Sequence, residues 1–123
     1  MAKHGDGVRD IAFSVDDCKG LHDKAVKRGG KSVLAPTELK DSDGVVLKAT
    51  IQTYGDTVHS FVQRDQYKGP YLPGYVLLSQ VPGALVDDPV LKMLPMVQVE
   101  FIDHCVGNQP DLEMNPVCQW HVL

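Results

Sequence analysis

Residues 8–30 have the sequence VRDIAFSVDDCKGLHDKAVKRGG, in which a strand pattern gives way to a helix pattern. Apolar and polar side chains alternate over the first eight residues, as is typical of a strand with one buried face. After Asp16 and Asp17, either of which can cap a helix, the apolar or small positions step by three and four. Gly29 and Gly30 can end that helix. We therefore predict a strand followed by a helix.

Three further strands are predicted after this helix. Residues 31–36 are predicted to form a short second strand. Residues 41–44, DSDG, have the composition of a turn in which Gly44 can take a positive φ. Residues 45–53 and 57–64 then have strand character. The predicted order is strand, helix and three strands, which indicates an α+β fold.

The chain changes character beyond this unit. From Asp65 to Leu91, prolines and glycines interrupt every periodic pattern, which is typical of an ordered linker. Near Val97 a second structured piece is predicted to begin, with a strand and, after Pro110, a helix that the sequence cuts short. We divide the chain into a βαβββ module at 1–66, a linker at 67–96 and the start of a further module at 97–123.

Bulk properties exclude several classes of function. With 123 residues, 43% of them hydrophobic, the chain can build one core and part of another. A net charge of -4 argues against a nucleic-acid partner. Neither a bilayer-spanning segment nor a secretory signal is apparent, so no membrane partner is predicted. Three widely spaced cysteines, Cys18, Cys105 and Cys118, favour a reducing, cytoplasmic compartment over a disulfide framework or a zinc knuckle.

The segment VEFIDHCVGN, at residues 99–108, places His104 near the end of an apolar strand. Spacing alone favours a core or edge histidine with a satisfied hydrogen bond over a metal ligand. Glu100 shares its strand face but lies roughly 13 Å away along a strand, too far for a shared ion. His121 could approach only if the final helix folds back.

Four segments together carry a resemblance to a known family. They are HGDGVRDIAFSV at 4–15, IQTYGDTVHSF at 51–61, GPYLPGY at 69–75 and IDHCVGNQPDLEM at 102–114. In this order, and over nearly the whole chain, they closely resemble the 4-hydroxyphenylpyruvate dioxygenases.

This resemblance implies the vicinal oxygen chelate fold, in which βαβββ modules pair into an N-terminal and a C-terminal barrel. Residues 1–66 would be the second module of the N-terminal domain, which carries no metal in the family. Residues 67–96 would be the interdomain linker, and residues 97–123 the first strand and helix start of the catalytic domain. The chain is then expected to be an internal fragment of a longer enzyme.

The resemblance also assigns site residues. His104 occupies the position of the first of two histidines and one glutamate that bind iron(II) and leave room for a 2-oxo acid and dioxygen. Val106 shares its strand face and is expected to line the substrate pocket or, equally, the barrel core. Cys105 faces away and is expected to be a small buried hydrophobe. Gly107 and Asn108 suit a turn. His4 and His59 lie in family motifs without a metal role, so the resemblance implies structural hydrogen bonds for both. Because two ligands are lacking, we expect no tight iron site in the isolated chain.

The implied reaction converts 4-hydroxyphenylpyruvate and dioxygen to homogentisate and carbon dioxide, in tyrosine and phenylalanine catabolism. One alternative is a fragment of a hydroxymandelate synthase-type oxygenase, which acts on the same substrate. A second is a non-catalytic βαβββ module for binding or dimerisation. A single module leaves a barrel face uncovered, so we expect a homo-oligomer.

Overall fold

A computed structural model describes residues 5–83, 88–95 and 97–122 of the protein. The first five elements are β1 (Asp10–Ser14), α1 (Cys18–Lys27), β2 (Lys31–Asp41), β3 (Gly44–Gln52) and β4 (Val58–Gln63). A short 3-10 helix (Leu78–Gln80), α2 (Pro89–Met93) and α3 (Met114–Val122) follow. The α+β fold and the predicted βαβββ order are confirmed.

The four strands form one mixed sheet in the order β1-β4-β3-β2. β1 pairs with β4 in parallel, and the other two pairs are antiparallel. Helix α1 packs against one face of β2, β3 and β4. The core on that face consists of Cys18, Ala49, Ile51 and Phe61, all less than a tenth exposed. One apolar layer between helix and sheet therefore holds the module together.

The second strand is longer than the sequence pattern predicts. It continues past Pro36 to Asp41, and its pairing with β3 slips between Ser32 and Leu34 and again between Leu34 and Thr37. β2 is an edge strand, where a proline and irregular pairing are tolerated because one side of the backbone has no neighbour. The turn after it is as predicted, with Gly44 at a φ of +132°.

Hydrogen bonds fix α1 to the strands on either side. Asp17 caps the helix by accepting from the backbone N–H of Gly20 at 2.8 Å. The backbone N–H of Cys18 donates to the side-chain oxygen of Gln63 at 3.1 Å, which joins the helix start to β4. On the next turn, the Nε2 atom of buried His22 lies 2.9 Å from the hydroxyl of Ser32 in β2.

The opposite face of the sheet carries a row of polar side chains. The Thr50 hydroxyl lies 2.9 Å from that of Ser60, which donates in turn to the carboxylate of Asp10 at 2.7 Å. Thr50 and Ser60 are both buried. The row joins β3, β4 and β1, and every buried side-chain polar atom in the described residues has a hydrogen-bond partner.

The segment after β4 is fixed to the β2–β3 turn through Asp41. This carboxylate accepts from the Tyr67 hydroxyl at 3.2 Å and from the backbone N–H groups of Gly74 at 3.0 Å and Asp43 at 2.9 Å. These bonds, that from Gly74 foremost, hold the pKa of Asp41 below its usual value although desolvation opposes them. The start of the predicted linker is therefore bound to the module.

The strand predicted near Val97 is not formed. Residues 97–110 make no sheet pairing, and Phe101 and Ile102 are 71% and 83% exposed. An alternating pattern needs a neighbouring strand to receive its hydrogen bonds, and the edges of the present sheet do not pair with this segment. The helix predicted after Pro110 is confirmed as α3. None of the helices in the described part of the chain combines the length and apolar character that crossing a bilayer requires.

Candidate functional site

His104 lies in the extended segment between α2 and α3. Its side chain is 71% exposed, and its Nδ1 atom lies 2.5 Å from a carboxylate oxygen of Asp103, which is also exposed. A carboxylate that accepts a hydrogen bond from Nδ1–H fixes the imidazole tautomer in which Nε2 carries the free electron pair. The pair Asp103–His104 is therefore able to present one nitrogen ligand to an ion.

The described residues do not complete a metal site around His104. Within residues 5–83, 88–95 and 97–122, no three histidine, cysteine, aspartate or glutamate side chains are grouped closely enough to hold an ion. Glu100 is exposed on the same segment. In this part of the chain His104 is therefore not grouped with two further side chains of the kinds that bind metals.

The predictions for Cys105 and Val106, which follow His104 in the chain, have different outcomes. Cys105 is exposed, so the expectation of a small buried hydrophobe is wrong in this structure. That expectation depended on a strand that would turn the Cys105 side chain towards a core. Because the segment forms no strand, the side chain is not turned inward. Val106 is 77% exposed and borders neither of the two grooves on the α3 side of the molecule. Its role in a substrate pocket stays a prediction.

Gly107 contacts the module instead of forming the predicted turn. Its φ is not in the left-handed region, and residues 107 and 108 show no turn. A Cβ atom on Gly107 would lie 2.1 Å from the hydroxyl oxygen of Tyr54, in the loop between β3 and β4. Glycine is needed here because the backbone passes so close to that ring.

A cluster of aromatic and imidazole rings forms where α3 meets the sheet. The ring of His121 lies with its centroid 4.9 Å from that of Trp120, 5.8 Å from that of Tyr54 and 5.9 Å from that of His59. Trp120 also packs against the core of the module. The final helix does fold back, but it brings His121 to His59 and not into a three-ligand group with His104.

The predicted structural role of His59 is confirmed. Its Nδ1 atom lies 3.2 Å from the backbone oxygen of Ile11, and its ring contacts that of Phe13 edge-on at 5.1 Å. His4, for which the same role is predicted, lies outside the described residues. The contacts of Tyr54 and Trp120 were not predicted. Their signal in the sequence is the large apolar side chain of Trp120 in the final predicted helix.

Comparison with known proteins finds relatives that align with nearly the whole chain. The chain is 49% identical over 122 residues to a 4-hydroxyphenylpyruvate dioxygenase from Danio rerio and 45% identical over 122 residues to one from Dictyostelium discoideum. Each alignment covers 98% of this chain. Over nearly its whole length, the chain is similar to 4-hydroxyphenylpyruvate dioxygenases. A further relative of that name, from Tetrahymena thermophila, is 42% identical over 96% of the chain.

The chain spans about three tenths of the length of these dioxygenases, between 28% and 32%. No family model matches it. Among solved structures, a triple mutant of 4-hydroxymandelate synthase from Streptomyces coelicolor shares 34% identity with a TM-score of 0.47, over 50% of this chain and 18% of the synthase. The resemblance to 4-hydroxyphenylpyruvate dioxygenases inferred from the four sequence segments is confirmed.

Proposed function

We propose that this chain is part of an iron(II)-dependent dioxygenase that converts 4-hydroxyphenylpyruvate and dioxygen to homogentisate and carbon dioxide. The observation that carries the proposal is the identity of 42–49% to 4-hydroxyphenylpyruvate dioxygenases over 96–98% of the chain. Such identity over the whole chain is much more specific than any one short motif. The reaction belongs to tyrosine and phenylalanine catabolism.

Within this proposal, His104 is an iron ligand and Val106 lines the substrate pocket. The hydrogen bond between Asp103 and Nδ1 of His104 supports the first assignment, since metal-binding histidines commonly donate their other ring nitrogen to a carboxylate. The exposure of both side chains is compatible with contacts to parts of a larger protein. One imidazole binds iron(II) too weakly for catalysis, so the isolated chain is proposed to be inactive.

The experiment uses the full-length protein that carries this sequence. Anaerobic titration with iron(II), dioxygen uptake with 4-hydroxyphenylpyruvate and chromatography of the product are compared for the wild type, His104→Ala and Cys105→Ala. We expect His104→Ala to lose both tight iron binding and dioxygen uptake. Cys105→Ala, a change at the adjacent residue, should keep both.

Each other outcome contradicts a specific part of the proposal. Iron binding that survives His104→Ala would place the metal elsewhere. A 4-hydroxymandelate product would assign the chain to a hydroxymandelate synthase-type oxygenase. Absence of any iron-dependent dioxygen uptake in the wild type would favour a non-catalytic βαβββ module for binding or dimerisation.

We also propose a cytoplasmic location and a homo-oligomeric state. All three cysteines are free, which suits a reducing compartment. The edge strands β1 and β2 and the segment 97–106 expose large apolar side chains, including Phe13, Val33 and Phe101, and such surfaces are commonly covered in assemblies. Sedimentation equilibrium that gives the monomer mass at micromolar concentration would contradict the oligomer.

A further inference from the structure

Two imidazole rings, those of His59 in β4 and His121 in α3, meet where the final helix packs against the sheet. Their centroids are 5.9 Å apart and their planes are inclined at 73°. Two imidazoles that bind one ion in line, through metal–nitrogen bonds of about 2 Å, have ring centres roughly 6 Å apart at any angle between their planes. The spacing of this pair therefore matches that of two ligands to a shared metal ion.

Backbone carbonyl groups fix the tautomer of both rings. Nδ1 of His59 lies 3.2 Å from the backbone oxygen of Ile11, and Nδ1 of His121 lies 2.8 Å from that of Val117. A carbonyl oxygen only accepts hydrogen bonds, so each neutral imidazole carries its proton on Nδ1 and its free electron pair on Nε2. His121 is exposed and His59 is partly exposed, so an ion from solvent can reach the pair.

The surroundings of the pair select the kind of ion. Among the residues that the structure describes, no carboxylate, thiolate or further imidazole joins the two rings to make a group of three. The rings of Phe13, Tyr54 and Trp120 lie around them, each with its centroid 4.9–5.8 Å from that of one imidazole. Zinc(II) and iron(II) sites need more protein ligands than two. Copper(I) is stable with two nitrogen ligands in line.

We propose that His59 and His121 bind one copper(I) ion through their Nε2 atoms. The single positive charge of the ion would lie among aromatic rings, which attract cations, whereas a doubly charged ion would lack the carboxylates that neutralise it. Lys24 borders the same groove as His121, and its positive charge also favours the ion of lower charge. The site does not include His104 and does not depend on the proposed dioxygenase function.

The experiment titrates the chain with copper(I) under anaerobic conditions, in competition with a chromophoric copper(I) chelator. The changes Cys105→Ser and Cys118→Ser first remove the exposed thiols, which would bind copper(I) themselves. We expect one equivalent of copper(I) to bind, and X-ray absorption to show two nitrogen neighbours on the copper. Zinc(II) should bind more weakly, since the pair leaves it short of protein ligands. Absence of stoichiometric copper(I) binding, or tighter binding of zinc(II), would overturn the proposal.

Two variants in the same background test the ligands. His59→Gln and His121→Gln should each weaken copper(I) binding by more than about tenfold, because loss of an outer-shell partner of a metal ligand alone costs about 10–100-fold. His104→Gln changes an exposed histidine outside the pair and should leave the affinity unchanged. Circular dichroism checks that each variant is folded, and the exposed His121 is the change that disturbs the core least. Copper(I) binding that survives His121→Gln, or equal weakening by all three changes, would contradict a shared site.

Discussion

Ser60 donates two hydrogen bonds to the carboxylate of Asp10, one from its backbone N–H at 3.1 Å and one from its hydroxyl at 2.7 Å. The two residues are 50 positions apart in sequence and lie on the paired strands β4 and β1. Ser60 is fully buried, and both its backbone N–H and its hydroxyl use this acceptor. The pair helps to hold β1 at the edge of the sheet.

Replacing Asp10 by alanine is therefore expected to destabilise the protein by about 1–3 kcal/mol, the usual cost of leaving buried donors without an acceptor. Urea unfolding followed by circular dichroism measures the change. Asp16→Ala, which removes an exposed carboxylate just after the same strand, serves as the control and should cost less than about 0.5 kcal/mol. A similar loss of unfolding free energy in the two variants would show that the Asp10–Ser60 hydrogen bonds contribute little to stability.

The three thiols are expected to differ in reactivity. Cys18 is fully buried, its Sγ–H donates to the backbone oxygen of Phe61 at 3.4 Å, and burial raises its pKa. Cys105 and Cys118 are exposed. Ellman's reagent should modify two thiols quickly in the native protein and the third only on unfolding. Rapid reaction of Cys18, detected by mass spectrometry of peptides, would contradict the packing of α1 on the sheet.

Asp41 should make the attachment of the linker sensitive to acid. Hydrogen bonds from Gly74 and other donors lower its pKa in the folded state, whereas the unfolded value is about 3.9. The stabilising contribution is therefore complete above that pH and is lost as pH falls through the folded-state pKa. Comparing urea midpoints from neutral pH down to acid should show a smaller acid loss for Asp41→Asn than for the wild type. Identical pH profiles would argue against a role for this carboxylate.

Two glycines with positive φ are expected to respond differently to alanine. Gly55, at a φ of +53°, has open space around it, so Gly55→Ala should cost about 1–2 kcal/mol from backbone strain alone. A Cβ on Gly44 would lie 2.5 Å from the backbone oxygen of Gln66, which cannot rotate away. Gly44→Ala should therefore cost more, roughly 2–3 kcal/mol. Thermal unfolding of both variants tests the order, and a larger loss at Gly55 would contradict it.

Local sequence patterns predict most of the module because its elements depend on neighbouring residues. The alternation before Val15, the cap at Asp17 and the turn at Gly44 all act within a few residues, and all three lie where they were predicted. The end of β2 was missed, since its path past Pro36 depends on pairing with β3. A strand boundary set by a partner strand has no local signal.

In the candidate site too, the local motif was predictable from the sequence, whereas contacts with distant residues were not. The motif around His104 is one of four that carry the resemblance to 4-hydroxyphenylpyruvate dioxygenases, and the comparisons confirm that resemblance. The conformation of this segment could not be predicted from its alternation, because a strand forms only against a partner with free backbone groups. Contacts such as Gly107 with Tyr54, or Trp120 with the core, join residues more than 50 positions apart, and no periodic pattern encodes them.

The parallel pairing of β1 with β4 sets an order in which the module can fold. Asp41 and Gly44 pair across a tight turn, and β3 and β4 are also close in sequence, so these hairpins close short loops. β1 pairs with a strand 48 residues away, since Asp10 lies opposite Val58. Closing this longer loop costs more chain entropy. The three-stranded meander is thus expected to form first, and the opening strand of the chain to dock last, on an edge that the other strands have already built.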